Sequence, residues 1–385
     1  RRSPLMERLK FLGIFSSNMD EFFKVRVASI HRRLEMGKKG MAEVLEIIGD
    51  KTREMDERFR AAYAEIISGL EAEGVKIITE ADLANQSEQL KEWVRDFFGD
   101  NVLPFVVPIL IRDGQPFPAL KDGAVYFAIK MWGEKTRYAV LEIPPETPRF
   151  VQLPNGNIMY VDDVLRYSLD RVFYIFDYER IEAYEFKISR DAELDIDNDF
   201  SEGYVRKMER VLKQRKGGRP TRLVYDATMP GSMLKLLQKE MRIIKDDTLI
   251  PGGRYHNMKD LIKFPCSRPD LAYPKLDPVP HPILDANERT PMMDIVRKQD
   301  ILITYPYQSF DHVVRLLREA AIDPKVEEIR MTMYRVARRS QIVNALANAA
   351  RNGKRIFVSI ELQARFDEEN NIKISEFLTE LGAQV

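Results

Sequence analysis

The residues after 300 alternate strand-like and helix-like segments at short intervals, and this regularity limits the folds available to the chain. Apolar runs typical of buried strands occupy residues 300–305, 327–336 and 355–362. A helical pattern follows each run; Ser309 and Ser340 are candidate N-caps. The closing residues "AQV" begin another strand. This β-α-β-α-β-α-β order predicts a parallel sheet with right-handed crossovers.

Arginines follow two of these predicted strands, where the chain reaches the sheet edge. Arg335 follows Tyr334 at the end of the second run, and Arg365 follows the third run. Because loops that follow parallel strands meet at one edge, we expect both side chains to face one crevice. A guanidinium fork pairs bidentately with phosphate oxygens, and helix N-termini beside it also favour an anion. The pattern therefore favours a phosphate clamp.

A plainer interpretation of the two arginines stays open. Arg365 would then only pair with nearby carboxylates, and Arg335 would belong to a basic surface run. The carboxylates are those of Asp367, Glu368 and Glu369, and the run includes Arg338 and Arg339. Exposed ion pairs contribute little to stability, so this alternative neither requires nor forbids an arginine at either position.

The first hundred residues have helical periodicity. Amphipathic patterns fit residues 4–15, 16–36, 41–73 and 82–98. Near the start of the second segment, Asn18 and Glu21 have the spacing of a capping box, which predicts that the Asn18 side chain closes a helix N-terminus.

From about residue 102 the chain changes character. The strand-like runs "AVYFAIKMW", "RYAVLEI" and "EAYEFKI" alternate with the helical patterns "YVDDVLRYSLDRVF", "EGYVRKMERVLKQRK" and "GSMLKLLQKEMRI". This mixture predicts an α+β domain, which ends in a proline-rich linker at residues 273–285.

The composition excludes several classes of protein. Lys and Arg total 60, as do Asp and Glu, so the formal net charge is zero and we expect no nucleic-acid partner. Cys266 is the one cysteine, which excludes an internal disulfide and a cysteine-based metal site and suits the reducing cytoplasm. The longest apolar stretch, residues 102–111, is too short to span a bilayer.

Long motifs throughout the chain resemble the bacterial polyphosphate kinase family. They are "PLMERLKFLGIFSSNMDEFFKVRVA", "LPFVVPIL", "RYAVLEIP", "SRDAEL", "LIPGGRYHNMKDLIKFP", "YPYQSFDHVVRLLREAAIDPKVEEIRMTMYRVARRSQIV" and "AARNGKRIFVSIELQARFDEENNI". The resemblance implies a multidomain α and α+β fold. A helical domain would occupy residues 1–101, an α+β head domain residues 102–296, and the first part of a phospholipase D-like α/β domain with parallel strands residues 297–385. We expect the chain to be the N-terminal portion of a longer one.

The resemblance also implies an activity: reversible transfer of the ATP γ-phosphate to inorganic polyphosphate through a phosphohistidine, with Mg²⁺. Asn18 matches the family's ATP-binding asparagine, and Arg335 and Arg365 match two arginines at its phosphate and magnesium site. A guanidinium has no lone pair for a metal, so we interpret both arginines as phosphate ligands beside Mg²⁺. The phosphohistidine is expected after Val385, so this chain alone should be inactive. Assembly as a dimer or tetramer and peripheral membrane association are further implications.

The four histidines of the chain are expected to have packing roles. His31, His256, His281 and His312 all lack the H-x-K spacing of the expected phosphohistidine motif. For His256, in "GGRYHNM", a phosphate-loop role is the alternative. The basic loop 213–222 is expected to be solvated surface, with polyphosphate contact as its alternative.

Two other functions compete with the kinase. A phospholipase D-like phosphodiesterase would use the same sheet on lipid or nucleic acid. A non-catalytic fragment would serve only assembly and nucleotide docking.

Overall fold

The fold is that of a computed structural model, which describes residues 3–112, 114–190, 220–241, 243, 249–266, 268–364 and 367–385. These residues form two compact units, which divide after Pro274, inside the proline-rich stretch 273–285. Within the described ranges, no helix combines the length and the apolar character needed to cross a membrane.

The first unit begins with three helices. They are α1 (Leu5–Phe22), α2 (Ala28–Glu35) and α3 (Met41–Ala72), with a π-helical turn, Phe23–Val27, between the first two. The predicted restart of the pattern at residue 16 is wrong, because α1 continues through it. Gly13 lies in the middle of this helix, where a glycine is unusual. A Cβ at this position would lie 2.7 Å from the Ile262 side chain, so the close approach of the two segments excludes a larger residue.

A mixed sheet forms the centre of this unit. The remaining strands and helices are β1 (Ile77–Ile78), α4 (Glu80–Leu83), α5 (Glu88–Phe97), β2 (Pro108–Ile111), β3 (Val125–Trp132), β4 (Arg137–Glu142), β5 (Phe150–Gln152), β6 (Ile158–Tyr160), α6 (Val161–Tyr167), α7 (Leu169–Val172), β7 (Arg180–Arg190), β8 (Pro220–Asp226), α8 (Gly231–Glu240) and β9 (Leu249–Gly252). Six of the strands lie in the order β2-β4-β3-β7-β8-β9, antiparallel except for β8 and β9. The others form a small sheet, β1-β6-β5.

The strand pattern explains why the large sheet is covered on both faces. In β3, Phe127 and Ile129 face a core completed by α5 and α6, while Tyr126 faces a second core that includes Met233 of α8. The three strands predicted from residues 124–188 are confirmed. The helix predicted at 82–98 is divided instead, because Ser87 caps a new helix by accepting a hydrogen bond from the Leu90 amide. The helix predicted at 202–216 lies outside the described residues.

The second unit contains a parallel strand pair and its crossover helices. Its elements are α9 (Met292–Val296), α10 (Asp311–Ile322), β10 (Glu328–Met333), α11 (Gln341–Arg351), β11 (Arg355–Ile360) and α12 (Glu368–Glu380). β10 and β11 pair in parallel over their whole length, as predicted. The predicted caps of α11 are also confirmed: the Ser340 hydroxyl accepts from the Val343 amide, and Gly353 takes φ 77° after the last turn.

The strand predicted at residues 300–305 is wrong. Ile301 and Ile303 pack against the small core of Leu284 and its neighbours, while Leu302 is 83% exposed, so the side chains do alternate. Among the described residues, however, no strand pairs with this segment. The Leu302 carbonyl instead accepts a bond from the His281 ring. Alternation predicts burial, whereas a strand also needs a neighbour.

Two smaller predictions also change. The closing residues pair with β11 only at one bridge, between Phe357 and Gln384. The Ser309 hydroxyl accepts from the Asp311 amide, but α10 begins at Asp311 itself, so the N-cap position belongs to Phe310 and not to Ser309.

Candidate phosphate-binding site

The start of α12 holds the loop that carries Arg335. The Asn371 side-chain amide donates to the Tyr334 carbonyl at 2.8 Å and to the Glu361 carbonyl at 2.9 Å. Asn370 donates to the Val336 carbonyl at 2.9 Å. Asn371 is fully buried, so its two bonds form away from competing water. The loops that follow β10 and β11 are therefore tied together by one residue, which no local sequence signal predicts.

The Arg335 side chain is held by a hydrogen bond at one nitrogen, and its other nitrogens are available to a ligand. Its Nη1 donates to the Asp367 Oδ2 at 2.9 Å, and the side chain is 53% exposed. Its Nε and Nη2 have no recorded partner among the described residues. An exposed ion pair of this kind contributes at most about 1 kcal/mol to stability. It therefore orients the guanidinium while the other nitrogens stay able to bind an anion.

Positive charge is concentrated on this loop although the chain as a whole is neutral. Arg338 and Arg339 are exposed on the same loop. Glu368 and Glu369 lie in the first turn of α12 and weaken the attraction of that helix end for an anion. The arginines, more than the helix dipole, therefore make the strand edge attractive to phosphate.

Arg365 lies outside the described residues, so its convergence with Arg335 stays a prediction. The residues on either side are placed: Ala364 is buried, and the Asp367 amide donates to its carbonyl at 2.9 Å. Asp367, expected as a partner of Arg365 in the plainer interpretation, pairs with Arg335.

Asn18 lies in the interior of α1, so the capping-box prediction is wrong. The helix begins thirteen residues earlier, at Leu5, and the Asn18 amide is exposed with no recorded side-chain partner in the described ranges. Phe11, which is 64% exposed, and Ile14, which is 42% exposed, precede it by seven and four residues on the same helix face. This face combines apolar surface with one amide, a combination that suits a flat heterocycle.

His256 has a packing role, as predicted. Its ring is buried and its Nε2 lies 3.2 Å from the Glu185 carbonyl oxygen. Burial, reinforced by the nearby Lys187 ammonium, lowers the pKa of His256 to about 3. The contact with the Glu185 carbonyl thus holds a neutral ring in place.

His281 and His312 are also buried, in the second unit. The His281 Nδ1 accepts from the Ile283 and Leu284 amides, both at 3.2 Å, so its ring caps a short turn. The His312 Nε2 lies 3.3 Å from the Asp285 Oδ2. Both are structural, as expected. His31 is half-buried on α2.

The described residues do not fit a magnesium site built from protein ligands alone. No group of three or more His, Cys, Asp or Glu side chains in the described ranges is arranged to hold a metal ion. Arginine nitrogens cannot replace such ligands, because a guanidinium offers donors only.

A cluster of buried ions in the first unit was not predicted from the sequence. Arg166 binds Asp163 at 2.7 Å and Glu185 at 3.1 Å, and Arg149 binds Asp162 at 2.7 Å. Burial, together with the nearby Asp162 carboxylate, raises the pKa of Glu185 well above its usual value. The "DD" of "YVDD" was the available signal, but apart from Arg166 on the same helix its partners, Arg149 and Arg254, come from other segments of the chain.

Sequence models of three polyphosphate kinase domains match the chain. The N-terminal domain matches residues 1–78, the middle domain residues 89–264, and C-terminal domain 1 residues 291–385. Together these matches run through most of the sequence.

Proteins named polyphosphate kinase are similar to this chain along its whole length. Proteins named polyphosphate kinase from Vibrio cholerae and Escherichia coli K12 are 40% and 38% identical over 99% and 100% of this chain, which corresponds to 56% and 58% of those proteins. A crystal structure of polyphosphate kinase from Porphyromonas gingivalis has 33% identity and a TM-score of 0.71, covering all of this chain and 55% of that one. The chain thus spans a little more than half the length of these relatives. It belongs to the polyphosphate kinase family.

Proposed function

We propose that the intact protein is a polyphosphate kinase, which reversibly transfers the γ-phosphate of ATP to inorganic polyphosphate. The names of the relatives support this activity. The observation that carries it is the Arg335 loop: an exposed guanidinium, held at one nitrogen, on a cationic strand edge that α12 anchors. Phosphoryl transfer is catalysed chiefly by positioning and charge neutralisation, which such a loop supplies.

Each proposed site residue has one role in this scheme. Arg335 and Arg365 bind and orient phosphate oxygens, and Asn18 contacts the nucleotide. None of the four histidines of the chain has the H-x-K spacing, so we place the phosphohistidine outside these 385 residues.

Mg²⁺ enters this proposal with the nucleotide. Mg²⁺ keeps several waters and binds substrate phosphates readily, so it does not require a cage of protein carboxylates. When bound, it would offset triphosphate charge beside the two arginines. We also propose that the protein acts in the cytoplasm as a dimer or tetramer, with peripheral contact to a membrane.

The experiment compares Arg335→Gln with Arg351→Gln in the intact protein. Arg351 is exposed at the end of α11, just before β11, and therefore lies at the opposite edge of the parallel pair. We expect Arg335→Gln to lower kcat for polyphosphate synthesis about a hundredfold or more, the scale of losing one preorganised charge donor. Arg351→Gln should be unchanged.

Two results would overturn the proposal. One is near-normal synthesis by Arg335→Gln in a correctly folded protein. The other is an intact protein that forms no polyphosphate but hydrolyses phosphodiester bonds in lipid or nucleic acid, as a phospholipase D-like enzyme would.

A further inference from the structure

The first unit encloses a cavity that the proposed activity does not use. Its volume is about 350 Å³, within the range of small-molecule sites. α1 and α3 form one side, and the ends of β7, β8 and β9 form the other. Asn18 does not line it, because two residues of helix turn Asn18 about 200° away from Asp20, which does.

Cations on the cavity wall outnumber the carboxylates beside them. Lys187 lies 2.5 Å from the Asp20 Oδ2, and the Arg222 Nη1 lies 4.0 Å from the Asp20 Oδ1, so both cations share one carboxylate. Asp56 is the other acid on the wall, and burial raises its pKa above the usual value. Arg60 adds an exposed cation at the mouth.

Arg222 is the least satisfied of these groups. The residue is 9% exposed, and its Nε has no hydrogen-bond partner among the described residues. Its guanidinium lies 4.0 Å from the centre of the Phe23 ring, which leaves its edge free for polar partners. Burial of a charged donor without an acceptor is costly, so an anion in the cavity would relieve an existing penalty.

The rest of the wall would suit a flat organic group. Phe15 and Phe59 stack at 5.8 Å between ring centres and line the cavity together with Tyr63. Opposite them, the backbone of Gly253 borders open space, since a Cβ there would meet no atom within 4 Å. An exposed backbone turn of this kind lets a ligand approach closely.

We propose that this cavity binds a small organic phosphate of nucleotide size, with its phosphoryl group beside Arg222 and Arg60 and its planar part against Phe15 and Phe59. A bare phosphate would make no contact with the aromatic wall, and an uncharged ring would leave the Arg222 Nε without an acceptor. Both parts of the ligand are therefore required.

The test uses titration calorimetry on the intact protein with adenosine monophosphate, adenosine and inorganic phosphate. Adenosine monophosphate should bind at least about tenfold more tightly than either of the other probes. Equal binding of adenosine would contradict the phosphoryl contact, and equal binding of inorganic phosphate would contradict the ring contact. No binding of adenosine monophosphate would overturn the proposal outright.

Three variants locate the binding. Arg222→Met and Arg60→Gln should each weaken adenosine monophosphate about tenfold or more, and Arg60→Gln, at an exposed position, should fold even if the buried change does not. Arg58→Gln, at an exposed position on α3 outside the cavity lining, is the matched control and should stay within about twofold of the parent. Unchanged binding in both Arg222→Met and Arg60→Gln would refute the cavity site.

Discussion

Individual residues in this chain show how far local chemistry determines a role. Arg335 was predicted from its place after a strand, and it lies on an exposed cationic loop. His256 was expected to pack, and it does. Asn18 was assigned a cap from its spacing to Glu21, yet it lies inside a continuous helix. Capping-box spacing recurs by chance within helices, so the spacing alone cannot show where a helix begins.

At the residue scale, His256 predicts a specific dependence of stability on pH. Its pKa is about 3 in the folded protein and near 6.5 in the unfolded chain, so the unfolded state binds the proton first. The contribution of the neutral His256 ring to the free energy of unfolding is fully present above pH 6.5. It is lost as the pH falls towards 3, which lowers the free energy of unfolding by about 3 to 5 kcal/mol.

Urea unfolding between pH 7 and pH 4 measures this effect by comparing the parent with His256→Gln. The variant has no titrating ring, so its free energy of unfolding should fall less steeply over that range. Parallel curves would show that His256 titrates normally in the folded protein.

At the element scale, the ends of α11 were predictable, whereas other helix ends and the strand pairing were only partly so. Ser340 and Gly353 bound α11 because caps act through bonds within a few residues. The missing strand at 300–305 has suitable side chains, but pairing depends on a distant partner. The two bonds of Asn371 also join segments that are separate in the chain, so no local sequence pattern predicts them.

Asn371 predicts how much the second unit depends on the link between its two loops. Asn371→Asp removes both donors and places a carboxylate against two carbonyl oxygens, so we expect a loss of about 2 to 4 kcal/mol in the free energy of unfolding. Asn344→Ala, at an exposed position on α11, is the matched control and should stay within about 0.5 kcal/mol.

Chemical denaturation and synthesis assays on the same proteins check this prediction. Asn371→Asp should also lower kcat, since the Arg335 loop loses its anchor. An Asn371→Asp protein as stable and as active as Asn344→Ala would contradict the role assigned to this link.

For the whole molecule, the order of helical, mixed and α/β segments was predicted correctly from the sequence. Hydrophobic periodicity, together with the glycines and prolines that end helices and strands, indicates element type directly. The domain limits at residues 101 and 296 stay predictions. The ion cluster around Arg166 and Glu185 and the cavity beside Arg222 were not predicted, since both are assembled from helices and strands far apart in sequence. Charge composition alone would have hidden both.

The central claim is that Arg335 and Arg365 hold one phosphate together, and a double-mutant cycle on kcat for polyphosphate synthesis tests it most directly. The variants are Arg335→Gln, Arg365→Gln and their combination in the intact protein. If both forks grip one phosphate, each single change should be severe and the combined loss should fall short of the sum by about 1 kcal/mol or more. Strictly additive losses, or a single variant with parental turnover, would contradict the shared site.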